Sequence, residues 1–475
     1  MSDEANKPSV LIVGAGLGGV LLGALLEKAN VSYTIFERAS SVKPLGSAMS
    51  IGSALIPVFR QLGCYDEFVA IGKRSIVGET WKESTFGYSL DFLPREEFSG
   101  ELQYIVPRPL LYNILVKLIP PHKIQFGKRV LMTKQTEDNQ RVTIQTSDNA
   151  VYEGDILVGA DGAYSAVRQR LYETLQKEGK LPESDQEELP FSCTCLVGQT
   201  LVLDLDEFPQ LKDPLYPFIS TLGNDKPYSW VLFGTAEKKI AWMVVEHLSS
   251  ETTKMAQEQR FRNSDNSEWG PTAAQSMCDE TRKFPIAFGN GKMNLGDLYD
   301  RTPKELISKV MLEEKVFKTW YHGRTVLLGD ACHKLHPAGG LGAVTSMHDA
   351  IALANLIYCL PSTSTADVSQ MFSEYKTERL PPVTAAFNSS RSLAKSMEKG
   401  LAGTIAFLIT KYMPVWLWRI FLKGMVKNRL RCGYLTEIED KGTVPAAYSA
   451  SYEKARALYN KRREAESPAA PVTVI

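Results

Sequence analysis

Neither sign of charge prevails in this chain, whose 475 residues hold 54 Lys and Arg against 54 Asp and Glu. With no global basic field, nucleic acid is disfavoured as a partner. Cysteine is sparse and irregular. The seven residues Cys64, Cys193, Cys195, Cys278, Cys332, Cys359 and Cys432 are odd in number and lack zinc-ligand spacing. Cys193 and Cys195 would share one face of a strand, and read as buried thiols rather than a redox pair. No secretory leader is legible, because MSDEANKPS is polar and runs straight into a strand. These features predict a reducing, intracellular, cytoplasmic setting. Internal repeats are lacking too. What remains, 44% hydrophobic and 23% charged, is an ordinary globular composition, long enough for two or three domains.

The chain is organised around Val10 to Arg38, VLIVGAGLGGVLLGALLEKANVSYTIFER. Val10 to Val13, apolar without alternation, predict a buried parallel strand. Gly14, Gly16 and Gly19 follow in GxGxxG spacing, then Leu and Ala at helical period, then a second strand from Tyr33 to Phe36. Gly14 permits the tight turn, Gly16 lets backbone approach a pyrophosphate, and Gly19 lets helix and sheet sit close. The pyrophosphate would lie on the helix N-terminus, where unpaired N–H groups favour anionic oxygens. Glu37, ending the second strand, is placed to bind a ribose diol.

Further on, a helix reaches Leu62 and stops at Gly63, and Trp81 to Leu93 alternates as an exposed-face β excursion. Arg108 opens an amphipathic helix to Ile119, with Leu111, Leu115 and Leu118 on one face. Segments 124–132, 140–146 and 151–158 read as strands, turning at Asp138-Asn139 and Asp148-Asn149. Residues 177–188 suit a solvated linker. LVGQTLVLD and YSWVLFGTAEKKIAWMVVEHL, within 191–248, predict an antiparallel sheet in a separate domain. Its Tyr228, Trp230, Phe233 and Trp242 are expected to form a core, with a minority touching substrate. Residues 251–318 read as helix or loop, 324–330 as a strand broken at Gly329, and about 345–360 as a helix. Pro381-Pro382 are expected to interrupt the helical 366–398, and residues after Ser467 to be disordered.

Three motifs in order, GxGxxG, GADGAxSxVR from Gly159 and GDAxHxxxP…GxG from Gly329, resemble the flavin-dependent monooxygenases of the aromatic-hydroxylase fold over roughly residues 9–390. The closing RCGYLTEIEDKGTVPA resembles fungal secondary-metabolite enzymes of this class, including those acting on isoprenoid-derived substrates. The resemblance implies an α/β fold: a Rossmann-like FAD-binding domain with an inserted antiparallel-sheet substrate domain and C-terminal helices. The expected division is 1–75, 105–185 and 291–390 for FAD binding, 76–104 and 186–290 for substrate, and 391–475 for a helical segment and tail. By the same resemblance Gly14, Gly16, Gly19 and Glu37 hold the ADP half of FAD, and Arg108 contacts FAD. Asp161 and Gly162 lie near the pyrophosphate and the incoming NADPH or NADH. Asp330 bonds the ribityl hydroxyls, while Gly340, Gly342 and Ala343 face the isoalloxazine ring. Arg38, Gly52 and Pro337 complete the implied FAD set. Leu341 and Val344 replace the family's usual Gln and Asn, so backbone is expected to hold more of the ring.

The implied activity is hydroxylation or epoxidation of a hydrophobic aromatic or isoprenoid small molecule, using NAD(P)H and O₂ through a flavin C4a-hydroperoxide. It requires no protein nucleophile, and no catalytic residue is assigned. Two other readings stay open: a reductase of the same fold that consumes no O₂, and a non-catalytic, membrane-associated nucleotide-binding protein. His333, His336 and His348 lack the disposition of a metal site, and none is expected. Leu401 to Met425 is strongly apolar but interrupted by Lys411, Pro414, Arg419 and Lys423. With Trp416, Trp418 and flanking Lys395, Lys399, Lys427, Arg429 and Arg431, the 401–431 segment suits either a membrane surface or packing on protein.

Overall fold

A computed structural model describes residues 7–41, 48–223, 227–249, 253, 268–269, 271–291, 293–397 and 400–466. Ser9–Val13 is flanked on both sides by parallel strands, Ile156–Gly159 and Ser32–Phe36. Both of its edges are thus paired and helices cover the faces of the sheet, which is why residues 10–13 are all apolar and buried. The six-stranded sheet runs Tyr321–His322, Thr325–Leu327, Ile156–Gly159, Ser9–Val13, Ser32–Phe36, Ile124–Gln125, antiparallel only at the 321–322 edge. Its helices Leu17–Lys28 and Gly342–Tyr358 share one core with it. Burial of Val20, Leu21, Leu22, Leu25 and Leu26 contributes on the order of 1.5–3 kcal/mol each.

The register sets four strand ends side by side: Val13 pairs with Phe36 and Gly159, and Gly159 with Leu327. The loops that follow carry Gly14, Glu37, Asp161 and Asp330. In open parallel sheets this carboxyl end is where ligands bind.

A second sheet has eight strands in the order Glu268–Trp269, Ser308–Glu313, Phe191–Gln199, Ile240–His247, Tyr228–Gly234, Phe218–Leu222, Val77–Lys82, Thr85–Asp91. Val77–Lys82 and Phe218–Leu222 pair in parallel, tying the early hairpin to the later strands. Alternation sorts the side chains. Tyr228, Trp230, Leu232, Trp242 and Val244 join the core beneath Pro271–Thr281 and Leu295–Asp300. Ser229, Val231, Phe233, Met243, Val245 and His247 occupy the other face. Phe233 thus departs from the other three aromatics, and stays half-buried.

Several local expectations are corrected. Ser308–Glu313 is a strand between two others, although its sequence carries no alternation strong enough to announce it. The strand expected through Asp204 ends at Gln199, and Leu201 and Val202 are exposed. The solvated linker is anchored by buried Asp185, which accepts hydrogen bonds from the Lys318 and Thr319 amides at 2.8 and 2.7 Å. Thr365–Met397 continues through Pro381 and Pro382. Two prolines cost several kcal/mol in an isolated helix, but the buried Val368, Met371, Phe372, Tyr375 and Val383 hold this one to the core. Most of 251–270 and everything after 466 lie outside the described residues, with the expectations made for them.

The C-terminal apolar stretch folds as Leu401–Lys411 and Val415–Met425, bent by 104°. No single helix among the described residues is long and apolar enough to cross a membrane. Arg429 and Arg431 do not flank it as free cations. Both are buried, Arg429 against Asp440 at 2.8 Å and Arg431 on the Ile438 carbonyl at 2.5 Å.

Candidate functional site

Gly14 has φ +106°, and a Cβ there would overlap the Ala160 carbonyl oxygen; one on Gly19 would overlap the carbonyl oxygen of Gly14. The turn therefore closes on itself and on the loop before Asp161. Gly16 differs: among the described residues, nothing lies within 4 Å of a Cβ position there. It stands at the N-terminus of Leu17–Lys28 with no side-chain cap, so first-turn N–H groups are left for an anion. Glu37 lies against the same turn, accepting from the Ala15 and Ala39 amides, each at 2.9 Å. Near it, the buried Tyr112 hydroxyl has no partner among the described residues, and burial together with the Glu37 charge pushes it up to about 12.

Asp161 accepts from Ser165 Oγ at 2.5 Å and from the Ala166 and Val167 amides at 2.7 and 3.2 Å, capping the helix Ala166–Lys177. Burial pushes its carboxyl up, against the lowering effect of those hydrogen bonds. Gly162, at φ +83°, again faces open space. The buried Arg168 donates to the Ala163 carbonyl at 2.6 Å and the Ala331 carbonyl at 2.9 Å. That single guanidinium ties the second motif to the third.

In the third motif Asp330 is half-exposed, with Lys334 Nζ at 3.9 Å. Behind it Asp349 accepts from Arg379 Nε at 2.8 Å and the Gly329 amide at 3.1 Å, with His333 Nε2 at 2.5 Å. Burial pushes the Asp349 carboxyl up, but His333 and Arg379 more than offset this and hold it below its usual range. A Cβ on Gly18 or Gly329 would overlap Ser346 Oγ, so the first helix, the Asp330 loop and the helix Gly342–Tyr358 meet at one point. Pro337–Gly339 forms a 3₁₀ turn into Gly340, at φ +62°. Gly340 and Gly342 both face open space, and Ala343 follows in the helix's uncapped first turn. Val344 is buried in the core, so at this point backbone N–H groups are the donors on offer.

Other expected residues are placed less centrally. A Cβ on Gly52 would meet the Gln103 side chain, which itself bonds Ser50. Arg38 and Arg108 are exposed, Arg108 at the first position of Arg108–Val116. Sequence reasoning quoted Arg168 as the end of its motif without giving it a role, and missed Asp349, Arg379, Gly18 and Ser346. Asp349 left a signal: it is the one acid in the helix GAVTSMHDAIALANLIY, and an acid there needs a buried partner.

Cys332, His333 and Asp349 bring potential metal ligands within 4.8 Å of one another. The donor set does not suit a cation. Arg379 already occupies Asp349, and burial holds the Cys332 thiol well above its usual range, hence protonated. His348 is engaged with the Ala54 carbonyl at 3.0 Å, and His336 Nδ1 with the Ala338 amide at 3.2 Å.

A dinucleotide with a sugar-like chain fits these residues: open glycines at the strand ends, an uncapped helix start, two carboxylates and an orphaned hydroxyl. The chain belongs to the FAD binding domain family, whose profile matches residues 7–190 and 297–390. It is 27% identical over 427 residues to the FAD-dependent monooxygenase paxM of Penicillium paxilli, covering 86% of this chain and 82% of that one. To the FAD-dependent monooxygenase ptmM of Penicillium ochrochloron it is 27% identical over 410 residues, covering 82% and 89%. In fold it is similar to Klebsiella pneumoniae HpxO complexed with FAD and uric acid, with TM-score 0.68, 16% identity and coverage of 88% and 96%. A salicylate hydroxylase substrate complex gives TM-score 0.64, 17% identity and coverage of 89% and 98%. The protein is an oxidoreductase, an FAD-dependent monooxygenase.

Proposed function

We propose that the protein hydroxylates or epoxidises a hydrophobic aromatic or isoprenoid small molecule, with NADPH or NADH as the electron source. The observation that carries this reading is the convergence of three glycine-bearing loops on the adjacent carboxyl ends of parallel strands, at Val13, Gly159 and Leu327. FAD, reduced by the nicotinamide, supplies the electrons by which one atom of O₂ reaches the substrate. The chain does the rest. Gly14, Gly16 and Gly19 admit the pyrophosphate, and Glu37 accepts from the ribose diol. Asp161 and Gly162 border the phosphates, and Asp330 holds the ribityl hydroxyls. Pro337, Gly340, Gly342 and Ala343 present backbone to the ring's polar edge, where negative charge develops on reduction. Arg38, Gly52 and Arg108 belong to the outer margin of this set. The inward face of the eight-stranded sheet, with Val231, Phe233 and Met243, excludes water and receives the substrate.

We assign the helices Leu401–Lys411 and Val415–Met425 to a membrane surface. Val415 is 74% and Trp416 64% exposed, beside exposed Leu401, Ile409, Tyr412 and Phe421. Each helix has 11 residues, about 16 Å long, half of a bilayer's hydrocarbon core, so the pair would lie in the interface. No acidic residue occurs from Lys399 to Thr436, and exposed Lys411, Lys423 and Lys427 favour anionic lipid.

The test is an absorption spectrum of the purified protein, then NADPH addition with and without oxygen. Flavin bands that bleach without oxygen and recover in air are expected. A protein that stays colourless after added FAD would refute the site. Flotation with phosphatidylcholine–phosphatidylserine vesicles should carry the protein upward. A vesicle-independent dimer that shields Trp416 would overturn the surface assignment.

A further inference from the structure

The exposed hairpin is joined to the interior by a row of aromatic rings. Trp418 donates through Nε1 to the Asp91 carbonyl at 2.7 Å and meets Phe92 edge-on, with centroids 5.5 Å apart. Phe92 stacks on Phe218 at 6.1 Å, and Phe218 meets Phe233 at 5.8 Å. Gly78 makes room for the middle of the row, since a Cβ there would lie 3.1 Å from Phe92 and closer still to Phe218. Phe218 is two residues from Ser220, and Ser220 pairs with Val231, so the row ends on the inward face of the eight-stranded sheet. That is the face carrying Phe233, Met243 and His247. His247, on this face, opposes protonation of His336 in the loop before Pro337.

Phe92 and Trp418 pack against the small buried cluster of Phe98, Leu422 and Val426, but the row is less deeply buried than the sheet's main core. Trp418, Phe92, Phe218 and Phe233 are all half-buried, whereas Trp230 and Trp242 on the opposite face of the same sheet are 1% and 0% exposed. The half-buried rings form an apolar seam between the hairpin and the sheet. At its inner end the buried Ser220 hydroxyl has no hydrogen-bond partner among the described residues. A ligand with one polar atom on an apolar skeleton would satisfy it.

We infer that the substrate enters directly from the bilayer, sliding between the 401–425 hairpin and the strands Val77–Lys82 and Thr85–Asp91 along Trp418, Phe92, Phe218 and Phe233. This deepens the reading above and rests on its flavin site and surface contact. The ligand class is a membrane-partitioned isoprenoid or polycyclic molecule carrying a single hydroxyl or carbonyl.

The experiment uses FAD-loaded, full-length protein and vesicles of phosphatidylcholine and phosphatidylserine containing a diazirine-bearing farnesol. After photolysis, labelled peptides are mapped by mass spectrometry. Adducts are expected on the segments holding Phe92, Phe218 and Phe233, falling at least roughly tenfold in Trp416→Glu/Ile420→Glu, at side chains that are 64% and 58% exposed. Delivered from cyclodextrin in water, the same probe should label both proteins equally, because the passage itself is intact. Adducts confined to 401–425 would show docking without entry and overturn the proposal. So would labelling of Phe218 and Phe233 from vesicles that is indifferent to the double substitution. Flavin absorbance, read in the same samples, separates these outcomes from failure of the flavin site.

Discussion

Replacing Asp349 by Asn tests the interior architecture most sharply. Asp349 and His333 are fully buried and the Arg379 side chain is 3% exposed, with the carboxylate 2.8 Å from Arg379 Nε. One oxygen serves Arg379; the other serves the Gly329 amide and His333. An amide in this position cannot satisfy both sides. Whichever way it turns, its NH₂ opposes either the Arg379 N–H or the Gly329 N–H. The substitution also leaves a buried guanidinium without its counter-charge, a loss of about 3–5 kcal/mol when one partner of a buried pair is removed. Urea unfolding followed by tryptophan fluorescence should show that loss. Arg379→Met should cost a similar amount, and the double variant clearly less than the sum, with a coupling of about 2 kcal/mol or more. Because Gly329 precedes Asp330, flavin retention should fall along with stability. A single-variant loss under about 1 kcal/mol, or additivity in the cycle, would refute the argument that this cluster holds the Asp330 loop.

Three other outcomes follow from the same geometry. Glu37→Ala and Asp330→Ala each remove a charged acceptor worth about 1.5–3 kcal/mol, so FAD should bind roughly 10- to 150-fold more weakly in fluorescence titration, and fully yellow variants would discredit those roles. Burial pushes His348 and His336 each down to about 4 from an ordinary 6.5. As pH falls through that window the unfolded chain binds protons that the folded chain does not, so stability declines by about 1.4 kcal/mol per pH unit per group. His348→Gln should therefore flatten the change in urea midpoint between pH 7 and pH 5, and an unchanged slope would show that His348 is not the group responsible. Gly18→Val should displace Ser346 and lower both solubility and flavin content, whereas Gly63→Ala, at a surface helix end with nothing near its Cβ, should remain yellow and lose only the stability of a left-handed turn.

What could be read from the sequence was whatever local stereochemistry enforces. Val10–Val13 had to be a two-faced buried strand, Gly14 had to take a left-handed turn, and Gly63, Asn139 and Asn149 sit at positive φ where a helix stop and two turns were expected. Order along the chain likewise sufficed to recognise three nucleotide-site motifs. Local pattern could not disclose partners that only the tertiary fold brings together. Ser308–Glu313 is a strand because Phe191–Gln199 lies beside it, and Thr365–Met397 runs through two prolines because its apolar face is held by the core. Pairing in space also turned Arg429 and Arg431 from apparent surface cations into a buried pair on Asp440 and backbone. The sequence alone determined which chemistry the chain could bind. Only tertiary packing decided that Arg168, Asp349 and Ser346 lock the motifs together, and that Phe233 lies on the opposite face of its sheet from the buried Trp230 and Trp242.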